Sequence, residues 1–206
     1  MKSTVHNPLV KVAMVAFAIP LLASCSLVSP VQMDTQKEVL NQLPHTVPQR
    51  PPHAATLLVL PPQTNPTYDT PQMAYVVRPY QVDFFTQHEW SATPGQMLLP
   101  LLITTLERTH NFSEVLSPPY PSDYTYSLRT EIQEVSQDFT SNPAAAKLSL
   151  RLQLNDGATG RVIATRKIEV REPIPQKTPY AGVVATNNAT AKALEEAAQF
   201  VLDNVK

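Results

Sequence analysis

Lys147-Leu148-Ser149-Leu150-Arg151-Leu152-Gln153-Leu154-Asn155 is the stretch that decides the fold. Leucines occupy every second position and polar or charged residues the others, and a period of two is what a β-strand with one buried and one wet face requires. Asp156-Gly157-Ala158-Thr159-Gly160 follows, a cluster of turn-forming residues that reverses the chain. Val162, Ala164, Ile168 and Val170 continue the buried face on the returning strand, with Arg166 the exception in that row. Upstream, Tyr124, Tyr126, Leu128 and Ile132 share one parity while Val135 and Phe139 share the other. A bulge near Gln133-Glu134 accounts for the change of face. The three segments predict an antiparallel meander.

Outward from the meander, residues 180–205 place Val184, Asn187, Ala191, Leu194, Ala198, Val201 and Val205 at alternating steps of three and four. This predicts an amphipathic helix with one narrow apolar stripe. Asn187 interrupts that stripe, and a buried amide without partners costs ~1–3 kcal/mol. Either it bonds the sheet or an adjoining loop, or it lies at the exposed start of the helix. On the other side, Thr93 is placed as an N-cap, with Pro94 at the first helical position and Gln96 completing a capping box. Met97, Leu98, Leu101, Leu102 and Leu106 follow at helical spacing with Pro100 among them, and the helix is expected to end near His110-Asn111. Residues 56–60, an apolar run stopped by Pro61-Pro62, read as a buried strand; Met73 to Arg78 and Tyr80 to Thr86 read as two strands around Pro79. The fold class expected is α+β, a mainly antiparallel sheet with two principal helices packed on one face.

The N-terminus carries different information. Lys2, His6 and Lys11 precede an apolar run from Val12 to Ala23, and Leu22-Ala23-Ser24-Cys25 closes it. The run is too short for a membrane-crossing helix, which needs ~20 residues, and its order is that of a secretory signal. The last four residues resemble the lipobox of bacterial lipoproteins, so residues 1–24 are expected to be removed and Cys25 to carry lipid. Cys25 is the single cysteine of the chain, so no internal disulfide is available and stability must come from packing. Ser26, not an aspartate, follows it, which resembles lipoproteins sent to the outer membrane.

Of 206 residues, 16 are basic and 17 acidic, and taking away Lys2 and Lys11 leaves 14 against 17, a formal charge of −3 that does not favour nucleic acid. Nine of the 21 prolines lie between Pro30 and Pro71, a density that opposes helix and central strand. Residues 25–55 are therefore expected to be a lipidated tether, extended and semi-rigid over Pro44 to Pro52. Residues 38–43 could be a short helix capped by Asp34 or a strand. The domain itself is placed at residues 56–206.

Catalytic constellations are sought and not found. Glycines 95, 157, 160 and 182 build neither a dinucleotide fingerprint nor a phosphate-binding loop. His88-Glu89 opens like a zinc-protease helix, but Ala92 stands where the second imidazole is needed. No G-x-S-x-G elbow occurs. The expectation is a protein that is not an enzyme and holds no metal or cofactor.

A run of motifs then carries a resemblance: Leu58-Val59-Leu60-Pro61-Pro62, Tyr68-Asp69-Thr70, Met73-Ala74-Tyr75, Arg78-Pro79-Tyr80, Phe84-Phe85, Trp90, and Met97-Leu98 with Pro100-Leu101-Leu102. Leu106-Glu107-Arg108, Phe112 with Val115, Gln137-Asp138-Phe139, Ala164-Thr165-Arg166, and Gly182-Val183-Val184-Ala185 with Asn187 continue it. In order and spacing these resemble the ABC-type transport auxiliary lipoprotein family. Gln72 departs from the pattern, where many members carry an arginine. The resemblance implies a periplasmic subunit on the outer membrane that docks an MCE-domain tunnel subunit of a lipid-moving ABC transporter, with self-association into a homo-oligomer. The family-pattern positions are Asp69, Tyr75, Tyr80 and Trp90. Tyr75, Tyr80, Phe84, Phe85 and Trp90 form the candidate interface, because aromatic residues are enriched at such surfaces. A structural or assembly lipoprotein of the envelope is the second reading.

Overall fold

The computed structural model describes residues 34–119 and 123–206, so the expected signal sequence and the expected lipidation site Cys25 lie outside the described residues. Residues 35–206 form one compact unit. Its strands are β1 (Gln36–Glu38), β2 (His53–Val59), β3 (Gln63–Thr64), β4 (Gln72–Arg78), β5 (Gln81–Trp90), β6 (Phe112–Leu116), β7 (Tyr126–Asp138), β8 (Ala145–Asp156) and β9 (Val162–Pro173). Its helices are α1 (Pro94–Glu107) and α2 (Pro179–Asn204). All nine strands join one sheet.

β7 is the spine of that sheet. One of its edges carries β8 along its whole length, antiparallel, and β9 pairs antiparallel outside β8. The other edge is shared: β2 pairs with residues 126–128, β3 with 131–132 and β4 with 137–138, all parallel. β6 lies parallel outside β2, β5 antiparallel outside β4, and β1 parallel outside β5. The sheet is mainly antiparallel through its two longest ladders, while the short pairings are mostly parallel. The bulge falls where parity places it: Ile132 faces Leu150 and Glu134 faces Ser149, leaving Gln133 as the extra residue.

Leu148, Leu150, Leu152 and Leu154 are all buried beneath α2, and burying each such side chain is worth ~1.5–3 kcal/mol. Arg166 faces Leu152 across the ladder, yet stays exposed and reaches Glu196 of α2 at 3.8 Å. An edge strand lets an arginine sit in an apolar row with its head in water. Val162, expected to be buried, is 55% exposed, because it sits at the hairpin end of that same edge strand.

α1 opens as its sequence requires, with the Thr93 amide donating to Gln96 Oε1 at 3.1 Å and Pro94 in the first turn. It ends at Glu107, earlier than expected, and His110 turns away at φ 53°. Pro100 lies inside it on the exposed side. The two helices touch one another over the sheet. α2 is buried far more widely than one narrow stripe, from Gly182 to Leu202, because α1 and the N-terminal segment flank it as well. Val184 is 46% exposed and the neighbouring Val183 is buried instead. A single position of drift along the helix exchanges their roles.

The tether expected up to residue 55 is also corrected. From Thr35 onward it belongs to the compact unit, with Leu40 buried in the main core and Leu43 packed against it. β1 ends at Glu38, and residues 39–52 are neither helix nor strand.

Candidate functional site

Residues 39–52 are loop lying against the domain, and such a loop must find partners for its backbone groups. Asn187 supplies several at once. Its Oδ1 accepts from the amides of Asn41 at 2.9 Å and Gln42 at 3.2 Å, while its Nδ2 donates to the carbonyls of Val39 at 3.0 Å and Val183 at 3.2 Å. Two donors and two acceptor positions are the full capacity of an amide side chain. Of the alternatives open in the sequence, Asn187 takes the adjoining loop.

Further along, prolines remove donors from the chain but leave carbonyls to satisfy. Arg108, the C-cap of α1, donates to the carbonyls of Pro44 at 2.9 Å and His45 at 3.4 Å. Asn111 Nδ2 donates to Pro51 O at 2.9 Å. Arg50 points back to the end of α2, donating to the Leu202 carbonyl and pairing with Asp203 at 2.6 Å. The proline-rich segment is thus a strap held at both helices. Sequence reasoning missed Arg50, Arg108 and Asn111 in these roles. Partners 60 to 153 positions apart leave no periodic trace.

The candidate interface residues do not stand together on one surface. Tyr80 is fully exposed in the β4–β5 turn at φ 65°, next to Val77, which is 49% exposed. Tyr75 and Phe85 are half-buried with ring centroids 4.5 Å apart, Phe85 packing against the main core; Tyr75 lies 6.4 Å from Phe139, which packs on the small cluster that includes Ala185 of α2. Phe84 is half-buried. Trp90 is 3% exposed in the main core, its amide bonded to the Pro71 carbonyl at 2.6 Å, so it is a packing residue. Asp69 is exposed in the loop before β4. Gln72, where an arginine was expected from the family pattern, opens β4 with its amide on Thr70 Oγ1 at 3.2 Å.

Asp138 closes β7 and holds three strands together. Its side chain is 4% exposed, with Lys147 of β8 at 2.7 Å and Arg171 of β9 at 3.4 Å. The Thr140 amide and hydroxyl add bonds at 2.9 and 2.5 Å. Burial works to raise the pKa of this carboxyl, but hydrogen bonds from Lys147 and Thr140 and the Lys147 charge outweigh it and hold the group down at about 2. A carboxylate with a folded pKa below its unfolded value stabilises the fold above the unfolded value and loses that contribution as pH falls through the folded one. The native protein should therefore lose stability from about pH 4 toward the folded pKa of about 2, and Asp138→Asn should flatten the curve in that window. Urea unfolding across the window measures it. Parallel curves for the two proteins would remove Asp138 from this role.

On the sheet face opposite the helices, a recess of about 370 Å³ is lined by Arg129, Glu131, Arg151 and Gln153 with Leu60 and Pro61 at its side. Its polar floor, with Arg151 3.9 Å from Glu131, is unlike an acyl-chain cavity. Among the described residues no group of three or more histidine, cysteine or acidic side chains is placed to hold a metal, and no helix is long and apolar enough to cross a membrane.

Fold and surfaces define the class as an α+β domain with two helices on one face of a sheet, a strapped N-terminal segment and a β4–β5 hairpin with Tyr80 exposed at its turn. The family model for the ABC-type transport auxiliary lipoprotein component matches residues 39–198, and the chain belongs to that family. Protein XCC0632 from Xanthomonas campestris, of family DUF330, is similar in structure, with a TM-score of 0.71 and 19% identity over 82% of this chain and 95% of that one. A solved structure of an uncharacterized protein has a TM-score of 0.63 and 16% identity over 81% of this chain and 99% of that one. At these identities the likeness is one of fold. No curated protein matches the chain.

Proposed function

We propose that this chain is the auxiliary lipoprotein of an MCE-type ABC lipid transport system, anchored through Cys25 in the outer membrane, with its domain in the periplasm docking the MCE-domain tunnel subunit. The observation that carries the reading is the family match, which begins at Val39, inside the strap, and runs through most of α2. The strap supports it physically: ties from Asn187, Arg108, Asn111 and Arg50 bind residues 39–52 to the domain, so that residues 26–34 are what separates the proposed anchor from the compact unit. The protein acts by position and not by catalysis, and ATP hydrolysis belongs to another polypeptide. The docking surface includes the side of the β4–β5 hairpin that carries Phe84, and several copies close into a symmetric oligomer around the tunnel.

The test uses the full chain, extracted in detergent from cells that also express an MCE-domain protein. Its mass in solution is measured, and the proteins retained with it are identified. The expected result is a homo-oligomer that keeps the MCE-domain subunit. A monomer that keeps none would replace this reading with that of a structural or assembly lipoprotein of the envelope.

A further inference from the structure

β1 runs parallel to β5, with Gln36 beside His88 and Glu38 beside Trp90. β5 itself starts at the hairpin turn, so a chain traced backward from Gln36 leaves the sheet toward Tyr80. His88 lies eight residues from Tyr80, about 26 Å at the ~3.3 Å rise of a strand. Cys25 lies eleven residues before Gln36, and eleven residues span at most about 36–40 Å. The length of chain between Cys25 and the sheet is therefore enough to bring the anchor level with the hairpin turn, and β1 begins on the side of the sheet that faces that turn.

What stands at that end of the molecule fits a lipid surface. β4 runs parallel to β7 and passes its last residue, since Tyr75 faces Gln137 and Val76 faces Asp138. The end of β7 also meets α2, where Gln137 Nε2 donates to the Pro179 carbonyl at 3.2 Å. Three segments thus form one end: residues 77–81, 139–143 and 175–180. Their only charged residues are Arg78 and Lys177; of the carboxylates beside them, Asp83 accepts from Gln81 Nε2 at 2.8 Å and Asp138 is buried against Lys147 and Arg171. Tyr80 and Tyr180 project from them, fully and 64% exposed, with Val77 49% exposed beside the first. Tyrosine, exposed valine and sparse basic charge are the composition that membrane–water interfaces favour. The opposite end of β7 also exposes apolar residues, Val162 at 55% and Ile163 at 41%, but there they lie with Asp123 and Asp156.

We propose that the end of the domain marked by Tyr80, Val77 and Tyr180 rests in the headgroup layer of the bilayer that holds the anchor. A lipid on Cys25 fixes the chain to the bilayer at one point and leaves the domain free to turn, and a second contact at the interface removes that freedom. The tyrosine end is that second contact, and it sets which way the domain stands on the membrane, with the β8–β9 turn pointing away. This inference rests on the anchoring part of the proposed function.

Cysteine substitution tests it, because a lipid on the Cys25 sulfur leaves an introduced thiol as the one free thiol in the chain. Lipidated full-length protein carrying Tyr80→Cys, Tyr180→Cys or Val162→Cys is labelled with an environment-sensitive fluorophore. It is then placed in phosphatidylethanolamine–phosphatidylglycerol vesicles containing a fraction of brominated lipid. Val77→Cys serves as a second probe of the hairpin should Tyr80→Cys disturb the turn. Labels at 80, 77 and 180 should shift to the blue and lose most of their emission to the brominated lipid, while the label at 162 should keep its own. Emission at 80 and 77 that equals that at 162 would overturn the proposal. So would shielding of those labels from aqueous iodide without quenching by lipid, which would mean that a second copy or a partner covers the hairpin. Fatty-acid labelling of the same preparations, against Cys25→Ala, reports the anchor separately: acylated protein with an unquenched hairpin sinks this inference alone, and unacylated protein sinks the anchoring reading with it.

Discussion

Asn187→Ala is expected to lower the unfolding free energy by about 2–3 kcal/mol, far above what an ordinary surface site gives. The alanine leaves the amides of Asn41 and Gln42 and the carbonyl of Val39 without the partner that now satisfies all three. Val183 keeps its place in the helix and loses only a second acceptor contact. The strap can recover part of the loss by turning its backbone to water, but Leu40, 7% exposed in the core, must then move as well. Denaturant unfolding gives the magnitude, and amide exchange gives its location: protection should fall at residues 39–43 and stay near native in β7 and β8. A loss under ~0.5 kcal/mol would mean that the strap contributes nothing to the fold.

The second large effect belongs to Gly182. A Cβ built there stands 2.0 Å from both Cδ and Oε1 of Gln137 and 2.4 Å from its Nε2. Gln137 cannot simply swing aside, because it is 2% exposed and donates to the Pro179 carbonyl in the first turn of the same helix. Gly182→Ala must either lift the start of α2 off the sheet or expel the glutamine, and overpacking of this kind costs about 1–3 kcal/mol before the lost hydrogen bond is counted. The paired substitution separates the causes. In Gln137→Ala protein, Gly182→Ala should cost much less, and a double-mutant cycle should return a coupling of about 1–3 kcal/mol. Additive losses would show that the close approach is not what demands glycine.

These two residues also show what a sequence can disclose. The stripe of α2 marked Asn187 as an anomaly and limited it to a few physical outcomes; its partners, 145 to 148 positions away, are set by a strap with no period of its own. The meander was legible down to the bulge, since a strand in an amphipathic sheet repeats every two residues and a change of parity must appear somewhere. β1, β3 and β6 were not, because strands of two to five residues carry too few alternations to stand out. Trp90 misled for a related reason. Aromatic composition serves interface and core alike, and only the β1 strand laid beside β5, with α1 below, decides for the core. In the sequence the strap has the look of a semi-rigid tether, because proline density speaks about regular structure and says nothing about carbonyls held by distant arginines.

The sharing of one edge of β7 among β2, β3 and β4 has a bearing on how the chain acquires its shape. Each of those strands precedes β7 by tens of residues and finds its neighbour only when residues 126–138 arrive. A nascent chain ending before that point holds three unfinished edges and no common seat for them. Ladders of large sequence separation form late and slowly, after the loops between them have closed. The first half of this protein therefore stays open until the second half templates it, which suits the export across a membrane that the proposed function requires.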